Sequence, residues 1–297
     1  MGNLMNGMRR AYQTFDSDVT VIHRPMLSRL STFERFTKGP RVFDVDDAIW
    51  LQNPRMAASL ARLSQTCICG NRYLADWFGQ FAPRVVVLPT GIDTSVYEPA
   101  TTPPDKDVIG WIGSRSTLPE LEKLESVFDE FFRRHSGARL RVVCNERPRF
   151  SGLVASHVDF VEWRPGCEPE EIRKFAVGIM PLDDTEWNRG KCSFKLIQYM
   201  GCGVPIVASP VGMNVELFAT SSPGILAETG SDWIQALSRL FSDSQFRRAA
   251  AGEGRSLVMS NYSVEALADR FSRVLFDAAR LNPKSRSGNR SKGWLSS

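Results

Sequence analysis

The sequence predicts an α/β protein built from parallel sheets that are covered by helices. Apolar runs of strand length alternate with stretches of helical periodicity along most of the chain, the pattern of doubly wound domains. The run Val204–Ala208 is apolar at every position, as expected for a parallel strand covered on both faces. With 297 residues, the chain is long enough for two domains of ordinary size.

Four strands are predicted before the domain boundary. They cover Val19–His23, Arg41–Val45, Gln65–Cys69 and Arg84–Leu88, with a helix over Arg72–Phe81. The Pro-Thr-Gly sequence at 89–91 ends this pattern, and a proline-rich stretch follows at 99–104. We therefore place the first domain at 1–92 and the second at 93–281, and expect the last helix to pack back on the first domain.

The second domain continues the alternation. Its predicted strands are Val108–Ile112, Arg139–Val143, Val158–Val161, Val177–Met180 and Val204–Ala208. Its predicted helices are Leu118–Arg134, Pro169–Phe175, Trp233–Phe241, Ser244–Ser260 and Val264–Ala279. The tail 282–297 has basic residues and no acidic one, so we expect it to be disordered.

Composition narrows the class of protein. A hydrophobic fraction of 42%, a charged fraction of 24% and a net charge of +4 are typical of a soluble globular protein. No run approaches the ~18 apolar residues that a membrane helix needs, and the start lacks a signal-peptide core. The six cysteines are scattered without zinc spacing, which favours reduced thiols in the cytoplasm. We expect no nucleic-acid partner; the basic tail could make weak peripheral contact with the inner face of a membrane.

The segment 189–214 contains a predicted phosphate-binding helix. We expect this helix to begin near Lys191 and to end at Gly201 and Gly203. Lys191, Lys195 and Gln198 recur at spacings of four and three, so they share one face. Lysines beside the free N–H groups of a helix opening suit a phosphate or diphosphate. A solvated cationic face explains the same pattern equally well.

A second turn between a strand and a helix follows Val108–Ile112. Gly113 would let the backbone approach a ligand, and Ser114 and Arg115 could bind phosphate there. Thr117 with Glu120 has the spacing of a capping box. The turn is neither a GxGxxG nor a P-loop, so taken alone it favours an ordinary βα turn. Its place at the opening of the second domain, facing the lysine helix, strengthens the phosphate hypothesis.

Two further clusters are candidates for chemistry. Asp44, Asp46 and Asp47 lie at the C-terminal end of a strand, and Asp46 and Asp47 are weak candidates for a catalytic base. A structural or ligand-binding role is favoured for them over catalysis. Trp163 and Arg164 end another strand, where a flat side chain could stack on a base or simply pack.

The lysine helix resembles the donor-binding signature of the retaining GT-B glycosyltransferases, in the family of glycosyl transferases group 1. There a helix K-x-x-E-Y-M-A-x-G precedes P-V-V-A-S. The matching positions here are Lys195, Gln198, Tyr199, Met200, Gly203, Pro205, Ile206, Val207, Ala208 and Ser209. The resemblance implies two Rossmann-like domains, the first binding the acceptor and the second the nucleotide-sugar donor. The first domain is short for this family, so we expect roughly 60–90 further residues upstream.

The resemblance also implies roles for single residues. The family usually has two glutamates eight positions apart, and Gly190 and Gln198 occupy these places here. Gln198 can still bond a ribose hydroxyl, whereas Gly190 offers no side chain to the sugar. The sugar would then depend on other groups, for which Asp183, Asp184 and Glu186 are candidates. The donor phosphates would be bound by the amides of Ser193 and Phe194 and by the side chains of Lys191, Lys195 and Arg115. The nucleotide base would lie at Trp163 and Arg164.

The predicted function is transfer of a hexose from a nucleotide-diphosphate sugar to a glycan, a lipid-linked or a small-molecule acceptor, with retention. No cofactor or metal is expected. The alternatives are a non-catalytic nucleotide-sugar-binding module or an inactive truncated remnant. A nicotinamide dehydrogenase is disfavoured, because no strand is followed by GxGxxG and a helix.

Overall fold

The computed structural model describes residues 14–23, 33–102 and 108–280. The chain divides into two compact units, Met1–Pro89 with Ala268–Ser297, and Thr90–Leu267. The predicted tail 282–297 lies outside the described residues. Among the described helices, none is long and apolar enough to cross a membrane.

The first unit contains a parallel sheet whose strands pair in chain order. These strands are β1 (Thr20–Ile22), β2 (Arg41–Val45), β3 (Thr66–Cys69) and β4 (Val85–Val87). Two helices connect them, α1 (Pro54–Leu63) and α2 (Arg72–Phe78). The sequence analysis missed α1, although its start has an ordinary signal. The Asn53 side chain accepts from the Met56 N–H at 3.0 Å, and Pro54 takes the first helical position.

The second unit contains a parallel sheet covered by helices. Its strands are β5 (Val108–Ile112), β6 (Arg139–Cys144), β7 (Val158–Glu162), β8 (Val177–Met180), β9 (Ile206–Ala208) and β10 (Gly224–Leu226). The helices are α3 (Leu118–Glu122), α4 (Glu125–Arg134), α5 (Gly152–His157), α6 (Glu168–Ile172), α7 (Glu186–Arg189), α8 (Phe194–Gly201), α9 (Met213–Leu217), α10 (Gly230–Ser242), α11 (Ser244–Asn261) and α12 (Val264–Arg280). The last of these continues into the first unit.

The strand order of this second sheet is β10-β9-β8-β5-β6-β7. The chain starts in the middle at β5, moves outward through β6 and β7, and then returns to the other side of β5. The order therefore reverses between β5 and β8. In open parallel sheets, the crevice at the carboxyl ends of the strands on either side of such a reversal is where ligands bind.

Helix α8 packs tightly on the centre of this sheet through Tyr199. The ring of Tyr199 is fully buried, and its hydroxyl accepts the N–H of Ile112 at 2.9 Å. A methyl group on Gly178 would come within 2.4 Å of this ring, so glycine makes the close approach possible. The fit fixes α8 relative to the ends of β5 and β8.

Three details of the predicted elements are wrong. The helix expected over Leu118–Arg134 is two helices, α3 and α4. Helix α8 begins at Phe194 rather than near Lys191, because α7 ends at Arg189 and Ser193 is left-handed with φ at 50°. The capping box pairs Ser114 with Thr117, whereas the carboxylate of Glu120 accepts from the Asp183 N–H at 3.0 Å.

Candidate functional site

The candidate site lies where the sheet order reverses, at the carboxyl ends of β5 and β8. The loop that follows β5, residues 113–117, is termed the nucleotide loop below, after the phosphate-binding role that the sequence predicts for it. Gly113 opens it, and a methyl group there would lie 2.2 Å from the indole of Trp111. Only glycine therefore lets the loop fold back over this ring. The N–H of Ser114 donates to Oγ1 of Thr117 at 3.2 Å, which closes the loop into one turn.

Lys195 reaches the nucleotide loop from the first turn of α8. Its Nζ lies 4.4 Å from the centre of the Trp111 ring and donates to Oγ1 of Thr117 at 3.3 Å. A cation over an indole face is stabilised by the ring electrons. Burial, with a smaller effect from Lys191, lowers the pKa of Lys195 to about 7. The structure thus joins two elements that the sequence could only propose as neighbours.

The segment before α8 is held rigidly. Ser193, which is 1% exposed, donates its hydroxyl to Oδ1 of Asn214 at 2.7 Å, and Nδ2 of Asn214 donates to the carbonyl of Ser209 at 2.9 Å. Phe194 then begins the helix with an exposed side chain. The N–H groups of the first turn have no acceptor within an α-helix, so they are suited to an anion. Lys191 lies before the helix and not on its face, but it remains close enough to affect the pKa of Lys195.

Gln198 lies one turn beyond Lys195 and is 5% exposed. Its Nε2 donates to the hydroxyl of Tyr97 at 2.6 Å. Tyr97 belongs to the segment that enters this unit. The amide is therefore fixed by a side chain that the sequence analysis did not identify.

The other predicted cation of the nucleotide loop points elsewhere. Nε of Arg115 lies 3.0 Å from Oε2 of Glu146, and the N–H of Arg115 donates to Oδ1 of Asn145 at 2.9 Å. Both partners follow β6. The guanidinium is mostly exposed, so solvent screens this ion pair. Arg115 therefore extends toward the end of β6, whereas Lys195 reaches the nucleotide loop from α8.

Trp163 and Arg164 follow β7, which is the edge strand of the sheet. Nε1 of Trp163 donates to Oε1 of Glu168 at 2.8 Å, and the indole is 37% exposed. The N–H of Arg164 lies 3.4 Å from Sγ of Cys167. These residues are at the correct end of the sheet for a ligand, but they are two strands away from β5.

The loop after β8 is braced by a network of hydrogen bonds around the buried Asn188. The carboxylate of Glu120 accepts from the N–H of Asp183 and from Nδ2 of Asn188, the latter at 2.9 Å. Asp184 pairs with Arg189 through two contacts of 2.6 and 2.8 Å, which lower the pKa of Asp184. Gly190 ends α7. Of the carboxylates proposed to replace the missing glutamate, that of Asp184 therefore already serves the loop itself.

The carboxylate cluster is in the first unit. Asp44 lies within β2, 3.2 Å from Nδ1 of His23, and burial raises the pKa of Asp44 while His23 opposes the shift. Asp46 and Asp47 follow the strand and are half-buried. Within the described residues, no group of three or more His, Cys, Asp or Glu side chains is arranged to hold a metal ion.

Four contributors to the second-unit site were missed: Trp111, Tyr97, Asn214 and Glu120. Trp111 lies within an apolar run of the sequence. Nothing in such a run distinguishes an indole that only packs in the core from one that also contacts a lysine. The other three act through partners far away in the chain, and no local pattern predicts such pairs. The sequence signal that could have indicated such a contributor is a polar residue among apolar neighbours, such as Asn214.

Comparison with known protein families gives a match that includes the nucleotide loop and helix α8 of this site. Residues 106–243 match the family Glycosyl transferases group 1, which confirms the predicted resemblance over that range. None of the curated proteins matches the chain.

Several solved structures share the fold. HepE of Anabaena in complex with UDP and glucose has a TM-score of 0.73 at 15% identity, over 91% of this chain and 81% of that chain. Sucrose-phosphate synthase from Thermosynechococcus elongatus gives 0.70 at 12% identity, over 94% and 78%. A variant of S. aureus TarM with fondaparinux, alpha-GlcNAc-glycerol and UDP gives 0.73 at 10%, over 92% and 58%. These likenesses confirm the α/β class with Rossmann-like domains.

Proposed function

We propose that the protein is a GT-B glycosyltransferase that moves a hexose from a nucleotide-diphosphate sugar to an acceptor, with retention at the sugar carbon. The observation that carries the proposal is the convergence of Lys195 and the nucleotide loop where the strand order reverses. The match of residues 106–243 to glycosyl transferases group 1 supports it. The UDP in the structures of HepE and TarM suggests the class of donor.

In this proposal the donor diphosphate lies against the N–H groups that open α8. Lys195, with Lys191 nearby, neutralises the charge that develops on the leaving diphosphate, and no metal is needed for that purpose. Gln198 would bond the ribose. We expect turnover to be unchanged by EDTA, whereas a reaction that is abolished by EDTA and restored by Mg²⁺ would contradict this part.

The direct test is calorimetry of the whole chain with a panel of nucleoside diphosphates. One member should bind, and Lys195→Ala should weaken that binding about tenfold to a hundredfold, because a charge-assisted contact contributes about 1.5–3 kcal/mol. Arg133→Ala removes an exposed cation from α4 and is the control. The proposal fails if no nucleoside diphosphate binds, or if Lys195→Ala and Arg133→Ala behave alike.

A second candidate is a nucleotide-sugar-binding module without catalysis. It is favoured by Gly190, which stands where the family has a sugar-binding glutamate, and by the internal pairing of Asp184 with Arg189. Release of the nucleoside diphosphate from a nucleotide sugar distinguishes the two. A transferase releases it when a suitable acceptor is present, whereas a binding module returns the donor intact. The anomeric configuration of the product, measured by NMR, then tests retention.

We assign the acceptor, a glycan or a lipid-linked or small molecule, to the first unit, and catalysis to the cytoplasm with weak contact at the inner membrane face. The free cysteines support a reducing compartment, since none of the six forms a disulfide.

A further inference from the structure

A second cavity of the same unit opens at the opposite edge of the sheet. It has a volume of about 630 Å³. Ala176 and Pro205, which line it, stand immediately before β8 and β9, so the cavity lies at the amino ends of these strands. The nucleotide loop follows the carboxyl end of β5. The two places are therefore separate, at opposite ends of parallel strands.

Three arginines give this cavity its charge. Arg173, Arg247 and Arg248 line it, and we refer to it as the arginine pocket. None of the described residues that line it is an aspartate or a glutamate. Likewise, the three guanidiniums form no ion pair with a carboxylate in the described part of the chain. Lys174 and, more weakly, Arg173 lower the pKa of Glu170, so one carboxylate lies near the Arg173 side of the pocket. The three guanidiniums still leave net positive charge, which attracts anions in a concave site.

Two of the arginines are held in place by main-chain carbonyls. Nη1 of Arg247 donates to the carbonyl of Leu240 at 3.2 Å, and Nη1 of Arg173 donates to the carbonyl of Val96 at 3.4 Å. A carbonyl orients a guanidinium without neutralising it. A guanidinium has five N–H donors, so each of these side chains retains donors in a planar arrangement that fits phosphate oxygens.

One face of helix α11 forms a wall of the pocket. Ser244, Arg247, Arg248 and Ala251 follow each other at spacings of three, one and three, so they share the face that lines the cavity. These are its first turns, where the helix dipole is positive. The carboxylate at this end, Asp243, caps the helix by accepting from the N–H groups of Gln245 and Phe246.

We propose that the arginine pocket binds an anion that carries one or two phosphate groups. The volume lies within the range of about 300–1,000 Å³ that is usual for small-molecule sites. The remaining wall mixes the hydroxyls of Thr101 and Thr102 with the apolar surfaces of Pro99 and Val204. The ligand is therefore a phosphorylated molecule with a small apolar part. The inference does not depend on the proposed transferase activity.

The test uses the full-length chain with Lys195→Ala, which weakens the nucleotide loop as a competing phosphate site. Inorganic pyrophosphate is titrated by calorimetry into this chain and into the same chain with Arg247→Gln and Arg248→Gln. We expect the added substitutions to weaken binding about tenfold or more, since each removes a charge-assisted contact. Binding to the parent pocket should also weaken as ionic strength rises.

Arg133→Gln, which removes one positive charge from α4 outside the pocket, is the control and matches the single pocket variant Arg173→Gln. Arg173→Gln is the second pocket variant, and it changes a different wall. It should reproduce the loss even if the α11 variant is less stable. A thermal melt of each variant verifies that the chain is folded.

A second experiment with lipid vesicles distinguishes a soluble phosphorylated ligand from a lipid headgroup. Phosphatidylcholine vesicles with and without phosphatidylglycerol are sedimented with the same variants. Pocket-dependent binding of pyrophosphate alone indicates a soluble ligand, and pocket-dependent binding of the anionic vesicles indicates a lipid headgroup. The proposal is overturned if the arginine variants bind both probes as well as the Arg133→Gln control does.

Discussion

Lys195 shows how one residue serves both packing and charge. Its stem and ammonium are covered by the indole of Trp111, and this burial lowers the pKa to about 7. A lysine in free solution has a pKa near 10.4 and would be fully charged at neutral pH. In the unliganded protein, Lys195 therefore changes charge close to physiological pH.

This titration predicts a pH dependence of nucleotide binding. Above about pH 7 the free protein loses the proton of Lys195, so binding of a diphosphate must restore it, and affinity should fall by about tenfold per pH unit well above the pKa. The ratio of parent to Lys195→Ala affinity isolates this effect from titration of the nucleotide itself. Calorimetry at a series of pH values measures it. A constant ratio between about pH 6 and pH 9 would contradict the role of Lys195 as the charged contact.

Gln198 leads to a second prediction at this scale. Because Tyr97 fixes its Nε2, the amide can offer its oxygen to a ribose hydroxyl without reorientation. Gln198→Leu should lose about 1 kcal/mol of binding to a ribonucleoside diphosphate and nothing to its 2′,3′-dideoxy analogue. Gln198→Glu should keep or improve affinity, since a carboxylate accepts more strongly. Parallel titrations with the two nucleotides measure the difference, and equal losses for both would assign Gln198 to packing alone.

At the scale of elements, helix α8 packs so closely on the sheet that no additional side-chain atom fits between them. Gly178→Ala would place a methyl group within 2.4 Å of the Tyr199 ring, and overpacking of this kind costs about 1–3 kcal/mol. Since Tyr199 also accepts the N–H of Ile112, the displaced ring should disturb the nucleotide loop. We therefore expect a lower free energy of unfolding in urea together with weaker nucleotide binding.

Gly252 provides the matched control. It lies within α11, and a methyl group there would meet nothing within 4 Å. Gly252→Ala should therefore stabilise the protein by about 0.5–1 kcal/mol through helix propensity, without changing nucleotide affinity. Should both alanines shift stability equally, the packing argument for Gly178 would be wrong.

The elements also show which features could be predicted. Strands β2, β5 and β8 were predicted to the residue, because apolar residues predominate in each and a turn-forming residue, Asp46, Gly113 or Pro181, follows it. The left-handed conformation of Ser193 was not predicted, since it depends on a hydrogen bond to the distant Asn214. The phosphate residues could be proposed from the glycine and lysine spacing. Their real neighbours, Trp111 and Tyr97, come from tertiary packing, which no local pattern contains.

At the scale of the whole molecule, the thiols give a simple test of the fold. Five of the six cysteines are buried, and burial raises the pKa of Cys67 and Cys202 to about 12. Only Cys167 is half-exposed. A native chain should therefore react with about one equivalent of a thiol reagent near neutral pH, and an unfolded chain with six. Addition of a reductant should leave the melting temperature unchanged, and fast reaction of several native thiols would contradict the buried core.

The pairing of β5 has a consequence for the order in which the second unit folds. One edge of β5 pairs with β6, the next strand along the chain, and its other edge pairs with β8. Ile109 therefore cannot complete its pairing until Val177 has been synthesised. During synthesis the central strand therefore remains half-paired until about half of the unit has been made. Such long-range parallel pairing is slow to form. Helix α8 follows β8 in the chain and brings Lys195 to Thr117, so we expect the proposed nucleotide site to form only after β5 has paired on both edges.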